Sequence, residues 1–101
     1  MAIKTYNCTQ NGRHIKSKIN ENEYYLTRKR IIVVDHKQTL VKKIELPKTD
    51  DYIVNSRMLG FYTMWFDGED MWVVIRMRDY YDKKAVLNEE TLELGKLTPF
   101  K

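Results

Sequence analysis

The seventeen residues from Phe61 to Met77, FYTMWFDGEDMWVVIRM, constrain this chain more than any other part of it. Two runs of aromatic and β-branched residues flank a short acidic turn at Asp67-Gly68. Side chains that are stiff at χ1, or broad and planar, pack best on a pleated surface, and a Gly-containing break between two such runs predicts a β-hairpin. Strict alternation puts Phe61, Thr63 and Trp65 on one face of the first arm, and Tyr62, Met64 and Phe66 on the other. An arm apolar on both faces needs cover on both, from a second layer of its own domain or from a partner.

Similar patterning lies on either side. Tyr24 to Arg28, the β-branched run Ile31 to Val34, and Thr39 to Leu46 read as three strands, with a turn at Asp35-His36-Lys37-Gln38 and a stop at Pro47, which cannot donate to a ladder. Ala2 to Cys8 reads as an earlier strand, closed by the turn-forming Gln10-Asn11-Gly12, while His14 to Ile19 alternates too weakly to assign. After the hairpin, Lys84 to Leu87 and Leu92 to Leu94 read as strands around Asn88-Glu89-Glu90-Thr91, and Gly95 closes the last of them. Thr49 to Met58 is the one helical candidate, with a capping residue and early acids; Tyr52-Ile53-Val54 and Asn55-Ser56 oppose it. At 101 residues neither half can bury its own core, so residues 1–101 are expected to form a single β domain with a loop at 48–51. The expected fold is all-β, with at least six strands in antiparallel, sequentially paired meanders. Ile32, Val34, Leu40, Ile44, Phe61, Trp65, Val73 and Ile75 are its expected core.

The two meanders, YYLTRKRIIVVDHKQTLVKKIEL and MWVVIRMRDYYDKKAVLNEETLEL, resemble blades of a β-propeller, in which an apolar-apolar-Val-Val strand leads through a polar turn to a Leu-rich closing strand. A closed propeller needs about 4–8 blades. Two blade-like halves therefore imply an open twisted sheet, a small sandwich or a half-barrel, or a fold completed by a second copy in a homodimer.

Chemistry is sparse along the chain. Cys8 is the only cysteine, which excludes an internal disulfide and a two-cysteine metal knuckle. His14 and His36 are read as surface residues, and the spacing of Cys8, His14 and His36 predicts no convergence on a nucleophile, base or zinc site. The expectation is a protein without enzymatic activity, cofactor or bound metal. No apolar run approaches the ~20 residues of a membrane-spanning helix, and MAIKTYNCTQ lacks the apolar stretch of a signal peptide, so no membrane association and a cytoplasmic location are expected.

The net charge of +4 is unevenly spread: residues 1–50 carry eleven Lys and Arg against five acids, and residues 51–101 carry seven against nine. The basic half, with Lys16/Lys18, Arg28-Lys29-Arg30, Lys42/Lys43 and the neighbouring Tyr24 and Tyr25, suits phosphate contacts and base stacking. The acidic half sets aromatic residues beside carboxylates, a combination that supplies apolar burial and electrostatic steering together. Its candidate partner-binding residues are Asp67, Glu69, Asp70, Trp72, Asp79, Tyr80, Tyr81 and Asp82. Arg76 and Arg78 share a strand face within expected reach of those acids.

In length, absence of catalytic motifs and β-rich pattern the chain resembles the small bacterial immunity proteins of contact-dependent growth-inhibition systems, which are cytoplasmic and neutralise a toxin by binding it. The resemblance implies a non-enzymatic protein-binding module whose partner is a toxin, the positive net charge being a departure from immunity proteins against basic nucleases. The alternative is a small nucleic-acid-binding protein that uses the basic half.

Overall fold

The computed structural model describes residues 13–100, and the expected strand at Ala2 to Cys8 lies outside them. Among the described residues nine strands and one short helix follow in chain order: β1 (His14–Lys16), β2 (Glu23–Leu26), β3 (Arg30–Val34), β4 (Leu40–Glu45), α1 (Tyr52–Arg57), β5 (Met58–Asp67), β6 (Asp70–Met77), β7 (Lys83–Asn88), β8 (Glu93–Leu94) and β9 (Thr98–Pro99). The fold is all-β. Strands β1 to β4 make one antiparallel sheet in sequential order, and β5 to β8 make a second, with β9 also paired to β7; neither closes into a barrel.

The two sheets stack through β5, which lies against β1, β2 and β3. Tyr24, Leu26, Ile31, Val33 and Ile44 of the first sheet pack against Phe61, Met64, Met71, Val73, Ile75, Met77 and Leu87 of the second. Tyr24 is fully buried, and its hydroxyl donates to Glu89 Oε1 at 3.1 Å, tying the first sheet to the turn after β7. That satisfies a hydroxyl which burial would otherwise penalise. A second apolar layer of Tyr25, Ile32 and Val34 occupies the opposite face of β2 and β3.

Of the expected core, Ile32, Val34, Ile44, Phe61, Val73 and Ile75 are buried. Leu40 is not: it is 46% exposed on β4, an edge strand with a register shift opposite Val33 and Val34. Trp65 is only half-buried, because the alternation of β5 breaks. Phe61 pairs with Ile75 and Thr63 with Val74, leaving Tyr62 as an extra residue between two consecutive partners. A bulge of this kind shifts every later side chain to the other face. Phe61 and Met64 consequently point into the same core, with Phe66 packed against it, and Trp65 turns outward to pair with Trp72 on the outer face of the second sheet.

At Gly60 the two sheets approach each other closely. Its φ is +148°, and a Cβ there would lie 2.5 Å from the carbonyl oxygen of Arg28 in the turn between β2 and β3. Only a residue without a side chain fits this approach. The Phe61 amide donates to Arg28 O at 2.8 Å, Arg28 Nε to Leu59 O at 3.2 Å and Arg13 Nη1 to Tyr62 O at 3.1 Å. The free edge of β5 is thus sealed by two arginines and one backbone carbonyl.

The helix forms despite its β-prone residues because its start is capped. Asp51 accepts from the amides of Ile53 and Val54, and Asn55, expected to interrupt, bonds Thr49 in both directions: its Oδ1 accepts from the Thr49 amide at 2.8 Å and its Nδ2 donates to Thr49 O at 2.9 Å. Of the acids expected in the first turn, Asp51 is the cap itself, and none lies within the turn.

Candidate functional site

The connection from β6 to β7, Arg78 to Asp82, is held on three sides. The Asp82 carboxylate accepts from the Met77 amide at 3.0 Å, and the Phe100 amide donates to Asp82 O at 2.7 Å, which fixes the loop to the ends of β6 and β9. From the end of α1, Arg57 O accepts from the Arg78 amide at 2.8 Å, and Arg57 Nη1 pairs with Asp79 Oδ2 at 3.2 Å. The Arg57 guanidinium also covers the Tyr80 ring at 5.0 Å. Asp79 sits at φ +62°, a conformation Asp tolerates better than most residues, and the reversal it makes turns the next two side chains outward.

Tyr80 and Tyr81 are 46% and 67% exposed. With Asp79, Lys83 and Pro99 they line an open groove of about 670 Å³. Its walls are two phenol rings and a proline, with one carboxylate and one ammonium at the rim. Such a groove can bury apolar side chains and orient them by charge; it offers no nucleophile beside a base.

Three of the eight expected partner-binding residues therefore converge: Asp79, Tyr80 and Tyr81. Asp82 is adjacent, with its carboxylate committed to the Met77 amide. Asp67, Glu69 and Asp70 lie at the far end of β6, exposed in the hairpin turn, where Lys18 donates to Gly68 O at 3.2 Å and covers the Phe66 ring at 4.6 Å. Trp72 is half-buried on the outer face of the second sheet, under the Lys84 ammonium at 4.5 Å. Arg76 and Arg78 take other partners than the acids expected for them: Arg76 covers the Tyr62 ring at 4.0 Å, and Arg78 Nη2 donates to Ser56 O at 3.4 Å.

A polar cluster that the sequence conceals lies across β1 and β2. His14 stacks on Tyr25 with centroids 4.3 Å apart, and its Nε2 lies 2.7 Å from Glu23 Oε1, so it is a half-buried, partnered residue rather than a surface one. Glu23 also accepts from the Tyr25 hydroxyl at 3.2 Å and from Gln38 Nε2 at 3.3 Å. Burial pushes the Glu23 carboxyl up, but the hydrogen bonds from His14 and Tyr25 and the positive charges of His14 and Lys16 outweigh it and hold it below the usual value. The cluster is invisible without the pairing of His14 with Tyr25 and of Lys16 with Glu23. Among the described residues no group of three or more His, Cys, Asp or Glu is placed to hold a metal ion. Among the described residues no helix is long and apolar enough to cross a membrane. Compared with known proteins, the chain matches no family model, no curated sequence and no solved structure.

Proposed function

We propose that this chain is a non-enzymatic protein-binding module whose partner docks on the groove of Tyr80, Tyr81 and Pro99. The observation that carries this is two exposed tyrosines on a loop already fixed by α1, β6 and β9. Aromatic side chains offer large apolar contact area, and a loop ordered before binding loses little entropy when a partner arrives. Asp79 and Lys83 at the rim add charges that select orientation more than affinity. The resemblance to immunity proteins makes a toxin domain the first partner to test, held by occlusion of its active surface.

The test is photo-crosslinking in cells with benzoylphenylalanine in place of Tyr81, followed by affinity measurement against the protein captured. A discrete protein adduct is expected, and Tyr80→Ala with Tyr81→Ala should weaken the purified complex by about tenfold or more while the melting temperature holds. Asp82 is a poor probe, since its loss would release the Met77 amide. Absence of any protein adduct, or unchanged affinity in the double variant, would overturn the proposal.

A further inference from the structure

A second channel lies between the β2–β3 turn and the edge of β5. One part, of about 660 Å³, is lined by Arg28, Lys29, Lys48 and Glu45 around a floor of Leu46, Met58 and Leu59. The other, of about 260 Å³, runs past Arg28, Leu59 and Gly60 to Tyr62 and Arg76. Arg28 and Leu59 line both, so the two lie side by side, with the Arg28 Nε to Leu59 O hydrogen bond at 3.2 Å between them. Four cations face a single carboxylate, and Glu45 is itself paired with Arg30 at 2.7 Å.

We infer that this channel binds single-stranded nucleic acid. Lys29, Lys48 and Arg28 would take phosphates, and the Tyr62 ring, covered on one face by Arg76 at 4.0 Å, would take a base by stacking on its other face. The apolar floor decides between single strand and duplex. A duplex keeps its base faces stacked inside and cannot lay them on Leu46, Met58 and Leu59, whereas an unpaired strand brings base faces to cover them. Tyr62 is 44% exposed, which leaves ring surface open to such contact. The channel draws on both halves of the chain: Arg28, Lys29 and Lys48 come from the basic half, and Tyr62 and Arg76 from the acidic one. It is separate from the Tyr80 groove and stands independently of the protein partner proposed there.

The test is fluorescence anisotropy of labelled oligo-dT and oligo-rU of about 15 nucleotides, with a duplex of equal length as comparison. Saturable binding of the single strands is expected, weakening steeply as salt rises from about 50 to 200 mM. Lys29→Glu combined with Lys48→Glu should lower affinity by about tenfold or more, and Tyr62→Ala by about tenfold, while Tyr80→Ala changes nothing. Arg76→Gln reads the same stacking site should Tyr62→Ala melt early, and a loss of several-fold is expected. No saturable binding at the lowest salt, or equal binding of duplex with no loss in Tyr62→Ala and Arg76→Gln, would overturn the inference.

Discussion

Glu23 shows how one side chain acquires a role from strand pairing. In the unfolded chain it is a glutamate of ordinary acidity; folded, it accepts from His14, Tyr25 and Gln38, and its carboxyl is held below the ordinary 4.5. A carboxyl depressed on folding stabilises the native state above its unfolded value and loses that contribution as pH falls through its folded value. Stability should therefore be steady from neutral pH down to about 4.5 as far as this residue is concerned, and decline below it. Denaturant melts of the parent and Glu23→Gln at pH 7 and at acid pH would check this: the gap between them should narrow as pH falls. A gap that is constant or widens would show that Glu23 is not the group being protonated. Asp35 is a second case, since the Thr39 and Lys37 amides that close its turn also hold its carboxyl low.

At the scale of elements, composition and turn chemistry made most strands legible. β-Branched density found β3, Pro47 the end of β4, and the Gly68 break the hairpin of β5 and β6. Two features escaped. β1 and β9 are only three and two residues long and draw their stability from neighbours rather than from their own pattern. The Tyr62 bulge is invisible because it breaks the periodicity from which faces are inferred, and this is why Trp65 was expected on the core face with Phe61, and Met64 on the opposite face. At the candidate site, the turn chemistry of Asp79 to Asp82 could be read, but not that Arg57 and Pro99, distant in the chain, complete it. Phe61→Ala should cost about 3–5 kcal/mol, since a large ring leaves an enclosed void. Leu40→Ala should cost under about 1 kcal/mol, being exposed on an edge. Thermal or urea unfolding of both would test the assignment; a Leu40 variant as damaging as the Phe61 one would refute the outward placement of β4's first residue.

In the whole molecule the junction at Gly60 matters most, because one glycine lets the turn of one sheet sit on the edge strand of the other. Gly60→Ala would need the backbone at Arg28 to withdraw and an alanine to hold a φ of +148°, so a loss of about 2 kcal/mol or more is expected. Calorimetry would measure it, and an unchanged melting temperature would mean that the sheets are joined elsewhere. The mutation should also weaken the nucleic-acid binding proposed for the Arg28 channel, where Gly60 is part of the wall.

The sequential order of strands within each sheet has a kinetic corollary. Every main hairpin joins segments that follow one another along the chain, so each meander can zip up through short loop closures, without waiting for a remote segment. Stacking the two meanders is the step that spans a long stretch of chain, and Phe61, Met64 and Arg28 act there. An early ensemble of two hairpin ladders not yet face to face would expose Ile31, Val33, Val73 and Ile75 together. In such an ensemble the charged residues Lys42 and Lys43 on β4, and the short strands β8 and β9 along β7, would guard the outer rims while the inner faces are still uncovered.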